Sequence, residues 1–270
     1  MRLLFLGDVV GKVAREKVIH SMPMLREKLA LDFVVVNGEN AAGGFGITSD
    51  ICKQFFDSGI DVITGGNHSW DQSEIVKFIE NEPRLLRPLN HVSGTPGRGH
   101  NVYENFDGRK VLVINIIGQV FMKPYENPFI SISDCLKSSN LGKTVDLIFV
   151  DFHAEATSEK MAMAQFLDGK VSAVIGSHQQ IPTADAQILD RGTAYQTDAG
   201  MCGDYNSVIG MQKEVPINRF LGKISKDRLK PANGEATICG VLIETDETSG
   251  LAKKITPLRF GGKLIEKWPS

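Results

Sequence analysis

Three observations predict an α/β fold built on mainly parallel strands. Short apolar runs alternate with helix-like segments through the first half of the chain. Most of the early runs are continuous and β-branched, as in strands buried on both faces. Five runs then end in polar, metal-capable side chains. These are L-F-L-G-D (Asp8), V-V-V-N-G-E-N (Glu39, Asn40), V-I-T-G-G-N-H (Asn67, His68), I-F-V-D-F-H (His153) and A-V-I-G-S-H (His178). Open α/β sheets bind ligands at the carboxyl ends of their strands, so one shared site is expected.

Strands are expected at 3–6, 33–36, 61–64, 111–116, 146–150, 173–175, 193–196, 239–244 and 255–259. Residues 12–30 carry apolar positions at Val13, Val18, Met24, Leu25 and Leu29, with Pro23 expected to bend or split that helix. Thr48 is expected to open a second helix, Asp71 to Glu74 to form a capping box for a third, and Ser158 to cap a fourth ending near Leu167. The order β-α-β-α-β-α implies right-handed parallel crossovers. After about residue 185 the strands crowd together, which suggests antiparallel pairing. Residues 83–140 hold Pro83, Pro88, Pro96, Pro124 and Pro128 and only one clear strand, and are expected to form loops or a small cap. No linker or repeat divides the chain, so 1–270 is expected to be a single domain.

The 270 residues suffice for a large core, and 42% hydrophobic with 23% charged residues describes a soluble globular chain. A net charge of -2 supplies no basic field for long nucleic acid or a membrane surface. Cys52, Cys135, Cys202 and Cys239 are scattered without a C-x-x-C pair, against a disulfide framework or structural zinc. The first apolar run stops at Gly7-Asp8, too short for a signal peptide, so a cytoplasmic location is expected.

Asp, Glu, Asn and His together offer the mixed oxygen and nitrogen ligands that two divalent metals need. Asp8 alone would equally suit a helix cap or a turn. Glu39-Asn40 is harder to assign to solvated surface, and the glycines after it permit close approach to a ligand. Asn67 offers a carbonyl oxygen, and His68 an acid, base or phosphate donor. His153 and His178, each following a strand, favour metal. Asp151 and Glu155 are candidates for holding His153 in place or for ordinary ion pairing. His20, His91 and His100 suit surface or loop roles, and Cys202 has no neighbour that marks a nucleophile.

These motifs resemble those of calcineurin-like metallophosphoesterases. N-G-E-N-A-A-G-G-F-G-I-T (37–48), D-V-I-T-G-G-N-H-S-W-D (61–71), D-F-H-A-E-A-T-S-E-K (151–160) and G-T-A-Y-Q-T-D-A-G-M (192–201) are similar to one branch, the bacterial YmdB-type family. The resemblance implies a four-layer α/β/β/α sandwich with a small irregular cap, and a phosphodiesterase acting on 2′,3′-cyclic nucleotides. It implies two divalent ions, iron or manganese before zinc or magnesium. By position, Asp8 would hold the first ion, Glu39 would bridge both, and Asn67, His153 and His178 would complete the second. Asn40 would add to the first site or touch substrate, and His68 would be the catalytic acid beside a metal-activated hydroxide. A homo-oligomer is also implied. One position departs from the family pattern: Gln180 stands where a histidine should complete the first site. An amide is the poorer ligand, so a weak, exchangeable or vacant first site is expected. Two alternatives stay open: a nucleotide-binding regulator with weak turnover, and a phosphoesterase of other specificity.

Overall fold

The computed structural model describes residues 1–123, 125–223 and 227–269; Pro124 therefore lies outside the described residues. In chain order the first elements are β1 (Arg2–Leu6), α1 (Gly11–Leu29), β2 (Phe33–Asn37), α2 (Ser49–Asp57), β3 (Val62–Thr64) and α3 (Ile75–Asn81). The middle holds β4 (His100–Glu104), β5 (Lys110–Ile117), α4 (Pro128–Leu136), β6 (Leu147–His153), α5 (Thr157–Leu167) and β7 (Ala173–Ser177). Then come β8 (Gln187–Ile188), β9 (Ala194–Gln196), α6 (Glu214–Phe220), β10 (Ile238–Thr245) and β11 (Ala252–Phe260).

One sheet has the order β11-β10-β1-β2-β3 and the other β4-β5-β6-β7-β9-β8. The strands β1, β2 and β3 are parallel, as are β5, β6, β7 and β9. Antiparallel strands finish the sheets: β10 and β11 beside β1, β4 beside β5, and β8 beside β9. The antiparallel expectation after residue 185 thus holds except at β9.

Alternation along each strand makes the layers. Leu3, Phe5 and Val35 of the first sheet meet Val113, Phe149 and Ile175 of the second in a shared core. The Phe5 and Phe149 rings lie 5.0 Å apart there. Leu4, Leu6, Val34 and Val36 face the other way, onto Val18, Met22 and Leu25 of α1 and Phe55 of α2. Ile148 and Val150 pack in turn on Ile132 of α4 and on Met163 and Leu167 of α5. The inner strands are covered on both faces, which is why β2, β6 and β7 are buried at every position. Burial of each such side chain contributes roughly 1.5–3 kcal/mol. The result is the four-layer α/β/β/α sandwich.

Several local expectations need correction. α1 runs unbroken through Pro23. The lost hydrogen bond is outweighed by the face that buries Val18, Met22, Leu25 and Leu29. Met22 takes the core place expected of Met24, which is 39% exposed. Thr48 does cap α2, its side chain accepting from the Ile51 N–H at 3.3 Å. The capping box at Asp71–Glu74 does not form. Glu74 accepts from Ser49 N and Oγ at 3.0 Å, and Asp71 is taken by His68. α5 starts at Thr157 after an extended Ala156, with no side-chain cap from Ser158. Residues 83–140 are more regular than expected, because β4 and α4 accompany β5.

Candidate active site

The carboxyl ends of both sheets meet at one edge of the sandwich. The first sheet delivers Asp8 after β1, Glu39 and Asn40 after β2, and Asn67 and His68 after β3. The second delivers His153 at the end of β6 and His178 just beyond β7. A hydrogen bond of 2.9 Å from Asn37 Nδ2 to Asp151 Oδ2 ties the two sheets behind them.

His153 is the centre of the cluster. Its Nε2 lies 2.9 Å from Glu39 Oε1, 3.1 Å from Asn67 Oδ1 and 3.1 Å from His178 Nδ1. Glu39, His153 and His178 place one donor atom each within 4.8 Å of one another. Gly66 makes the crowding possible: a Cβ there would stand 2.0 Å from Glu39 Oε2 and 2.4 Å from His153 Nε2.

Second groups fix the two rings. Ser177 Oγ lies 2.9 Å from His153 Nδ1 and donates to Asp151 Oδ1 at 2.6 Å, so it accepts from the ring and leaves Nε2 as the free lone pair. Glu155 Oε2 lies 3.0 Å from His178 Nε2, which leaves Nδ1 facing the cluster. Glu155 therefore holds His178, not His153 as expected, while Asp151 reaches His153 through Ser177. Buried Lys160 and Asp198 pair at 2.9 Å, and Asp198 accepts from Gln179 N at 3.0 Å. That clamp steadies a strained loop in which His178 and Gln180 have φ of 96° and 66°.

The electrostatics are those of a site awaiting a cation. Burial pushes the Asp8 carboxyl up to about 7; His153 opposes this, while Asp198 and Glu39 add to it. Burial would lower His153, but Glu39, Asp8 and Asp151 outweigh it and push the ring up to about 9. Burial and then His153 pull His178 down to about 3. One proton on His153 Nε2 cannot serve a carboxylate, an amide oxygen and a second imidazole together. A metal ion between the four donors can, so the residues fit one.

The Asp8 side is less finished. Asp8 Oδ2 accepts from His178 N at 3.1 Å, but its Oδ1 is buried without a partner. Gln180 is buried, donates from Nε2 to Asn40 Oδ1 at 3.0 Å, and leaves Oε1 unpartnered. Two unsatisfied acceptors on one side again suit a cation.

His68 stands at the rim. Its Nδ1 meets Asp71 Oδ2 at 2.8 Å, its ring packs edge-on against Phe45, and its backbone N–H donates to Glu39 Oε2 at 3.2 Å. Nε2 is left for a ligand in a cleft of about 620 Å³ that Glu39, Asn40, His68, His178 and Gln180 help to line. Sequence reasoning overlooked Asp71, Ser177, Lys160 and Asp198. Asp71 carried a signal, three residues after His68 in the same motif. Lys160 and Asp198 lie in the runs 151–160 and 192–201 but look like surface charges until the fold buries them.

The remaining histidines stay apart. His20 is exposed on α1, His100 lies on edge strand β4, and His91 packs between Trp70 and Tyr125 outside the cleft lining. The Cys202 thiol is fully buried and pushed well up by that burial, unlike a nucleophile. Among the described residues no helix is long and apolar enough to cross a membrane.

The chain resembles known proteins over nearly its whole length. A 2′,3′-cyclic-nucleotide 2′-phosphodiesterase from Bacillus subtilis (strain 168) is 44% identical over 255 residues, 94% of this chain and 95% of that one. A solved structure of a novel phosphatase from Mycoplasma pneumoniae has a TM-score of 0.90 at 34% identity, covering 97% of this chain and 93% of its own. A hypothetical protein from Thermus thermophilus has a TM-score of 0.89 at 38% identity, covering 97% and 100%. The model of the YmdB-like protein family matches residues 4–258, and with these relatives it places the chain in that family.

Proposed function

We propose that this protein is a metal-dependent phosphodiesterase that hydrolyses 2′,3′-cyclic nucleotides. The observation that carries the reading is the meeting of Glu39, Asn67, His153 and His178 around one point, with donors within 3.1 Å of His153 Nε2. The name of the Bacillus subtilis relative supplies the substrate class.

Glu39, Asn67, His153 and His178 hold one divalent ion in this reading. Asp8 and Glu39, with Asn40 or Gln180, would hold a second and weaker one. Mixed nitrogen and oxygen donors suit iron or manganese. Ions bound there supply Lewis acidity: a water of lowered pKa and neutralised charge on the phosphoryl oxygens. His68, oriented at Nδ1 by Asp71, gives a proton from Nε2 to the departing ribose oxygen or a hydrogen bond to the phosphate. The reading further takes 1–270 as one cytoplasmic domain and, on the family resemblance, as forming homo-oligomers.

Two variants test it on adenosine 2′,3′-cyclic phosphate, with metal content measured on the same samples. Glu39→Ala should lose most bound metal. His68→Ala should keep its metal and lose roughly 10²–10⁴-fold in kcat. Full metal retention in Glu39→Ala, or wild-type turnover in His68→Ala, rejects the assigned roles. The Gln180 amide, spent on Asn40, favours a second reading: a nucleotide-binding protein with little turnover. Tight nucleotide binding with metal loaded but no hydrolysis would select it.

A further inference from the structure

A turn beside the cradle breaks its own conformational rule. Val208 and Met211 pair through two backbone hydrogen bonds of 2.9 Å and close a two-residue loop, Ile209-Gly210. Both loop residues have positive φ, 43° at Ile209 and 84° at Gly210, the type I′ pattern. That turn favours Asn-Gly, because a β-branched side chain in the left-handed region is strained. Ile209 is also 52% exposed and belongs to none of the buried apolar clusters. A side chain both strained and exposed does nothing for the fold. It lines the cleft that contains Glu39, His68 and His178. Strain of this kind gathers at ligand clamps.

Ile181 shares the exposure without the strain: it is 50% exposed and lines the same cleft. Phe45, Met211 and Leu229 pack in one small cluster and complete this apolar side. The cleft thus sets the polar metal donors beside an apolar wall, in which Ile181 and Ile209 are the exposed members.

We propose that Ile181 and Ile209, with Phe45, form the subsite for the nucleobase, taking the faces of a flat ring while the phosphate lies at the cradle. The proposal rests on the phosphodiesterase reading above. Recognition by apolar contact to the ring face tolerates any base, since every base has one.

The test compares kcat/KM for adenosine 2′,3′-cyclic phosphate with that for the base-free glycerol 1,2-cyclic phosphate. Metal-loaded wild type, Ile209→Asn and Ile181→Ser are measured. The ratio of nucleotide to base-free efficiency should fall about tenfold or more in each variant, through the nucleotide KM. Ile209→Asn should also raise Tm by about 2–4 °C, because Asn suits the turn. A residue of structural importance only would shift Tm and leave the ratio alone. An unchanged ratio, or equal losses on both substrates, overturns the subsite. If wild type hydrolyses neither, the phosphodiesterase reading fails on its own account. The subsite is then read from equilibrium binding of adenosine 3′-monophosphate: about tenfold weakening in Ile209→Asn supports it, and equal affinity overturns it.

Discussion

On the His153 side of the cradle each imidazole has a group behind it; on the Asp8 side two buried acceptors lack a hydrogen bond. Ser177 and Asp151 stand behind His153, and Glu155 behind His178. Asp8 Oδ1 and Gln180 Oε1 have no partner, and the Gln180 amide is committed to Asn40. The contrast separates preorganised affinity from adaptable affinity. Donors held before the ion arrives lose little freedom on binding it. Donors tied to another ligand-capable group, as Gln180 is to Asn40, give up part of the binding energy in adjusting that contact.

The largest effect should come from damaging the finished side. His153→Ala removes the central donor and should lower kcat/KM on adenosine 2′,3′-cyclic phosphate by roughly 10³-fold or more. Gln180→Ala should cost less than about tenfold. Equal losses would erase the distinction between the two sides. Ser177→Ala sharpens it. The His153 ring stays but loses its orienting partner, and metal retention against a chelator should weaken by about 10–100-fold. Unaltered retention would mean that packing alone holds the ring. Gln180→His should produce the only gain, tightening manganese at the Asp8 side by about tenfold in equilibrium dialysis. No gain would show that the unpartnered Asp8 Oδ1 already finds sufficient company there.

Much of the fold was legible because strands buried on both faces leave unbroken apolar runs, and the runs end where the site begins. Asp8, Glu39, Asn67, His153 and His178 were all visible that way. Local rules failed where tertiary partners outbid them. Glu74 reads as a cap until Ser49 claims it, and Asp71 until His68 does. Pro23 reads as a break until the packing of α1 overrides it. The pairing of Glu155 with His178 was invisible because only the fold decides which of the two histidines that carboxylate faces. The Lys160–Asp198 clamp joins residues far apart in the chain, and nothing local marks either as buried.

The place of β1 at the middle of its sheet also bears on how the chain is made. It is bonded to β2 on one side and β10 on the other, and the Met1 amino group donates to Thr245 O across 244 residues of chain. As synthesis proceeds, β1 waits with one backbone edge unpaired until Ile238–Thr245 has emerged. Pairings over such spans form slowly, and an open edge is a template for wrong ones. Asp8 follows this strand directly, and its backbone oxygen is bonded by Cys202 N at 2.9 Å. A nascent chain that ends before β10 therefore already contains every side chain of the cradle, yet lacks one of the two strands that seat β1 and, through it, Asp8.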